Sequence, residues 1–154
     1  MNQIRPLTAI AILGTLCASM QAVAAPTCAL SVKVGDNLMF DTAKLEASAS
    51  CEAITIKVVH AGKLPVEAMG HNVVVSRTVD AQSIMNDGMA AGPANGYLKK
   101  DDPRVLLATP LVGAGQDGQG SAAGSAFKPG GDYQFFCTFP GHGSVMKGPF
   151  VVVP

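Results

Sequence analysis

Apolar positions along the chain fall into short runs separated by turn residues. Ala29-Leu30-Ser31-Val32-Lys33-Val34 alternates weakly, and Gly35-Asp36-Asn37 is a turn before Leu38-Met39-Phe40, so two strands are expected here. Residues 41–50 are small and polar and suit a connection between sheets. Ile54-Thr55-Ile56-Lys57-Val58-Val59, within Cys51 to His60, is a β-branched strand. Gly62 and Pro65 mark a loop, and Gly70-His71-Asn72-Val73-Val74-Val75-Ser76 is the next strand. It carries His71 at its start, where a side chain can point off the rim of a sheet.

The period changes between Asp80 and Asp102. Ala81, Ile84, Met85 and Met89 are spaced for a short helix, broken by Gly88, Gly92 and Pro93. Arg104 to Ala108 returns to a strand pattern, whereas Gly113 to Ser125 is so rich in Gly, Ala and Ser that little strand is expected. Gly130-Gly131-Asp132 leads into the aromatic run Tyr133-Gln134-Phe135-Phe136-Cys137, and Phe150-Val151-Val152-Val153, after Pro149, closes the chain as a buried strand. About seven or eight such strands argue for an all-β antiparallel sandwich or barrel with one short inserted helix. There is no internal repeat.

The first 24 residues read differently. Arg5 is their only charge, Leu7 to Leu16 is apolar, and Ala22-Val23-Ala24 is a small-residue end, which together describe an export signal cleaved before Ala25. An uncleaved anchor is the alternative, because no acid or base occurs between Arg5 and Lys33. The Ser, Gln and Pro residues and the Ala-x-Ala end favour cleavage. One domain over 25–154 follows, with no membrane association once the signal is gone.

Charge excludes more than it suggests. The 11 basic and 11 acidic residues cancel, and without Arg5 the remainder is one unit negative. No basic patch points to nucleic acid.

Cysteines narrow the chemistry. Cys17 leaves with the signal, so Cys28, Cys51 and Cys137 remain, an odd number for an oxidising compartment. Cys28 and Cys51 flank a hairpin-like stretch and are the natural disulfide, leaving Cys137 as a lone thiol that a bound metal ion would hold as thiolate. The stretch Cys137-Thr138-Phe139-Pro140-Gly141-His142-Gly143-Ser144-Val145-Met146 adds an imidazole and a thioether on the same loop. That soft donor set suits copper, and a second imidazole is available from His60 or His71. Zinc would fit the same nitrogen and sulfur donors but carries no electron. Taken singly, Cys137 would read as an inert buried thiol, Met146 as core filler and His71 as a satisfied strand end. Together their spacing argues for a metal site.

These residues resemble the azurins, small blue-copper proteins of the cupredoxin family. The resemblance covers nearly all of the chain after the signal and rests on Met69-Gly70-His71-Asn72, Asn86-Asp87-Gly88-Met89-Ala90, Tyr97-Leu98-Lys99, and Phe135 to His142 with Met146-Lys147-Gly148. It implies a Greek-key cupredoxin-like sandwich holding one copper ion per chain. His71, Cys137 and His142 would be equatorial ligands, Met146 the axial ligand, and the Gly70 backbone carbonyl a weak further contact.

By the same resemblance Cys28 pairs with Cys51 and Asn72 ties the two ligand loops together. The backbone N–H groups of Asn72 and Phe139 would donate to the Cys137 sulfur. Met69, Met89, Phe139 and Val145, with Leu38 and Leu64 unless these two are core, would form an apolar docking patch. His60 would be a non-ligand histidine near the site, either titrating or structural.

The implied role is a monomeric periplasmic one-electron carrier rather than an enzyme. Its partners would be redox proteins such as c-type cytochromes or periplasmic reductases and dehydrogenases. The alternative is a copper-binding or copper-delivery protein that does not cycle. Three departures from the family stand out: Val73 occupies a position that is commonly Trp, Gly118 to Ala126 is depleted in the β-branched residues expected of a strand there, and Gly143 after His142 suggests a more mobile ligand loop.

Overall fold

The computed structural model describes residues 25–154. The expected export signal over 1–24, Cys17 included, lies outside the described residues. Eight strands are present among the described residues: β1 (Ala29–Val34), β2 (Leu45–Ser48), β3 (Ala53–His60), β4 (Val74–Arg77), β5 (Val105–Ala108), β6 (Asp117–Ala123), β7 (Tyr133–Phe136) and β8 (Lys147–Val153). They form a three-stranded sheet, β1-β3-β6, facing a five-stranded sheet, β2-β8-β7-β4-β5. A single turn, α1 (Val66–Met69), follows β3, and the expected helix is α2 (Ala81–Ala91).

Period-two burial builds the sandwich. On β3, Ile54, Ile56 and Val58 are fully buried, and they meet Val73, Val75, Phe135 and Phe150 from the other sheet. Burial of each such side chain contributes about 1.5–3 kcal/mol. Val74 and Phe136 point the opposite way, under Ala81 and Ile84 of α2. The larger sheet is therefore covered on both faces there, which is why Val73-Val74-Val75 is a continuous apolar run rather than an alternation.

Several elements differ from expectation. Leu38-Met39-Phe40 is loop, with Leu38 and Met39 43% and 63% exposed and only Phe40 buried. The second strand lies instead inside the supposed connector: Leu45 and Ala47 turn inward, and β2 runs parallel to β8 with Leu45 opposite Phe150. β1 and β3 also run parallel, with β2 in the other sheet between them, so the Cys28–Cys51 disulfide joins the starts of two parallel strands rather than a hairpin. A crosslink over 23 residues stabilises the fold by about 3 kcal/mol.

α2 continues through Gly88, where a break was expected; the Tyr97 carbonyl occupies the space a Cβ would need at that position, and the helix stops at Gly92. The Gly-rich segment is a true strand, β6, paired antiparallel with β3. At Gly120 the Ala108 carbonyl lies where a side chain would be, so a bare backbone lets β5 approach β6.

Candidate metal centre

Two loops at one end of the sandwich carry the chemistry. β7 ends at Phe136 and delivers Cys137; the chain turns at Gly141 (φ 80°) into a short 3-10 turn over His142–Ser144 and re-enters the sheet as β8. Three backbone hydrogen bonds close this loop: His142 N–H to Phe139 O at 3.0 Å, Met146 N–H to His142 O at 2.8 Å, and Cys137 N–H to Met146 O at 3.1 Å. His71 lies between α1 and β4, pinned by reciprocal bonds with Val112 at 2.9 and 2.8 Å.

One donor atom each from His71, Cys137 and His142 lies within 4.8 Å of the others. The Cys137 Sγ is 3.8 Å from His142 Nδ1, and the three residues are 0%, 0% and 5% exposed. His71 Nε2 donates to the Gly35 carbonyl at 2.8 Å, leaving Nδ1 as the lone-pair nitrogen. That Nδ1 is buried with no hydrogen-bond partner among the described residues. Such an atom costs about 1–3 kcal/mol unless something binds it, and a metal ion at this cluster would do so. Met146, 1% exposed, packs in the same core as Cys137. Gly70 is buried and extended beside His71, where a Cβ would run into the Val66 carbonyl and the Phe139 ring.

Burial sets the protonation of the metal-free site. It pushes the Cys137 thiol up to about 11, even though the backbone N–H groups of Asn72 and Phe139 favour the thiolate. It also pulls His142 down to about 4, helped by the nearby His71, and lowers His71 against the opposing bond to Gly35. At neutral pH the cluster therefore holds neutral imidazoles and a protonated thiol. A metal ion must displace one proton.

The surroundings hold the loops in register. Asn72 Nδ2 donates to Thr138 Oγ1, and the Thr138 N–H donates back to Asn72 Oδ1. His60 is 5.4 Å from His71, ring centre to ring centre, but its nitrogens are already used: Gly62 N–H donates to Nδ1, and Nε2 donates to the Met69 carbonyl. Gly143 has a packing reason. It is buried, and a Cβ there would collide with Met85 Sδ and the Cys137 carbonyl, so glycine is the residue that lets α2 pack against the loop. Val73 is fully buried in the core, and its N–H donates to Thr109 Oγ1 at 2.9 Å.

An aromatic ring lies beside His142. The Phe139 ring lies 4.5 Å from the His142 ring and 5.2 Å from Tyr97. Met89 and Val145 are 56% and 60% exposed and Met69 is half-buried. Leu38 and Leu64 are exposed rather than core. Asp36 accepts N–H bonds from Lys63 and Leu64, tying their loop to the one after β1, and those bonds hold its carboxyl below the usual range.

Gly35, Thr109 and Asp36 were missed by sequence reasoning. Gly35 acts through its carbonyl, which no residue type advertises, and the other two act through partners distant in sequence. Thr138 stood inside the motif without an evident role.

A β-sandwich with a buried His/Cys/His cluster and a methionine beside it defines a copper-binding cupredoxin. Residues 26–153 match the copper binding proteins of the plastocyanin/azurin family, and the chain belongs to that family. It is 42% identical to the azurin of Bordetella pertussis over 131 residues, 85% of this chain and 87% of that one. The azurin of Pseudomonas aeruginosa is 39% identical over 145 residues, 94% and 96% of the two chains. Among solved structures, the azurin Az-iso2 from Methylomonas sp. strain J superposes with a TM-score of 0.80 at 31% identity, covering 83% of this chain and 99% of that one.

Proposed function

We propose that the chain is a periplasmic one-electron carrier, in which His71 Nδ1, Cys137 Sγ and His142 Nδ1 would hold copper. The Met146 thioether and the Gly70 carbonyl would supply further, weaker donors. Copper bound there supplies a Cu(I)/Cu(II) couple. The observation that carries the reading is the orphaned His71 Nδ1, a buried lone pair kept free by the Gly35 bond on the other ring nitrogen.

The protein's part is to keep the donors fixed and dry. Ligands exposed to 5% or less leave water little access, and the Asn72–Thr138 bonds hold the two loops together in either oxidation state. The N–H groups of Asn72 and Phe139 stabilise thiolate charge, which weakens its donation to Cu(II) and raises the potential.

Enclosure supports cycling over delivery, since a donating protein needs an exchangeable site. A second copper centre, as an oxidase would require, has no histidine to use: His60 is committed to Gly62 and Met69. Electrons would pass through the His142 edge, with Phe139, Met89, Val145 and Met69 as the apolar contact for c-type cytochromes or periplasmic reductases and dehydrogenases. The sequence of residues 1–24, read as an export signal, supports a periplasmic location, and the carrier is taken to act as a monomer.

The test is the visible spectrum after Cu(II) is added to the processed protein, followed by ascorbate. An intense band at about 600 nm that bleaches and returns on reoxidation is expected for a His2Cys site. Weak d–d absorption alone, or oxidation of Cys137 by the added copper, would overturn the reading.

A further inference from the structure

We propose that Met85 and Met89 form a second, transient Cu(I) site through which copper reaches the buried cluster. The two methionines are four residues apart on α2 and so share one helix face, while Ala81, Ile84 and Gly88 face inward. Both side chains line a cleft of about 200 Å³ whose opposite wall is the ligand loop, from Thr138 through Phe139 to Gly143. Met85 reaches furthest in: its sulfur lies where a Cβ on Gly143 would be, beside the Cys137 carbonyl.

The chemistry of this cleft is selective. Thioethers are soft, neutral donors that bind Cu(I) without losing a proton, and no charged side chain lines the cleft to attract a hard cation. Two thioethers leave coordination positions open, as a hand-over site requires. The need for one follows from the main cluster, whose three ligands are almost closed to solvent. Transfer is a ligand exchange with no change of oxidation state: the sulfur–copper bonds to Met85 and Met89 break, those to Cys137 and the imidazoles form, and the Cys137 proton leaves to water. Met89 also belongs to the proposed docking patch, so loading and partner binding exclude one another.

The inference rests on copper being the metal of the main cluster, and the experiment separates the two claims. Copper-loaded protein, labelled with 13C at the methionine ε-methyls and kept reduced, is given one further equivalent of Cu(I) as its acetonitrile complex. The Met85 and Met89 methyl signals shift, and Met85→Leu loses both the Met89 shift and the second equivalent. Metal-free Met85→Leu develops its blue band with the same final intensity as the parent but more slowly when Cu(I) is supplied and then oxidised. Shifts confined to Met39 or Met69, equal uptake by Met85→Leu, or unchanged loading kinetics would each overturn the proposal. Failure of the main reading shows separately, as a parent protein that never turns blue.

Discussion

Asn72 and Thr138, 66 positions apart, exchange two hydrogen bonds: Asn72 Nδ2 to Thr138 Oγ1 at 2.7 Å and Thr138 N–H to Asn72 Oδ1 at 2.8 Å. Both residues are buried and each adjoins a candidate ligand, Asn72 after His71 and Thr138 after Cys137. Asn72→Ala leaves the Thr138 N–H buried without an acceptor. A loss of about 2 kcal/mol in unfolding free energy is expected, together with weaker copper retention, checked by urea titration of the metal-free and copper-loaded forms.

Copper uptake releases protons. With the thiol pushed up to about 11 and His142 down to about 4, only Cys137 carries a displaceable proton between pH 7 and 9. About one proton per copper is expected across that range, from calorimetry in buffers of different ionisation enthalpy. Cys137→Ser removes the thiolate and the intense visible band with it.

The metal-free protein loses stability in mild acid. The folded pKa of His142 is depressed from 6.5 to about 4, and His71 is lowered too, so between these values the unfolded chain binds protons that the folded one excludes. The penalty is absent above about pH 7 and grows as pH falls, reaching on the order of 2 kcal/mol from His142 by pH 4.5. His142→Gln should therefore flatten the fall in melting temperature between pH 7 and 4.5. An equal slope in the variant would exclude this origin.

Arg104 joins Asp87 of α2 to Asp102 in the segment before β5. Hydrogen bonding to Arg104 holds the Asp102 carboxyl at about 2, so the stabilisation is present above pH 3.8 and lost as pH falls toward 2. Arg104→Ala leaves the buried Asp102 unpaired and should lower the melting temperature at pH 7, with a difference from the parent that narrows below pH 4. The visible spectrum of the copper form should not change.

Val145 lies three residues beyond His142 and is exposed. Val145→Asp places a charge in the apolar surface without touching a candidate ligand. The spectrum and potential should be retained while electron exchange with a cytochrome slows, read by stopped flow at low and high salt.

The site was legible where its residues share one segment. Cys137, His142 and Met146 announce themselves because a loop between paired strands brings sequence neighbours together, and His71 is found through Gly70 and Asn72. Strand order was less visible. Leu38 and Met39 carry the apolar signal of a strand but are exposed surface residues, whereas β2 is a four-residue strand with a charged Glu46 and owes its existence to β8. Glycine misled in three directions: at Gly120 it permits a strand, at Gly88 a helix, and at Gly143 a packed loop. In each case the cause is a neighbour remote in sequence.

The position of β8 has a temporal consequence. It follows the other described strands in sequence, sits between β2 and β7, and closes the loop that holds Cys137, His142 and Met146. A chain emerging from a ribosome or a translocation channel N-terminus first has no coordination sphere until β8 is released and inserted between β2 and β7, both made before it. Metal acquisition is thereby coupled to the release of β8, and a chain interrupted before that strand lacks the closed loop that gathers the ion.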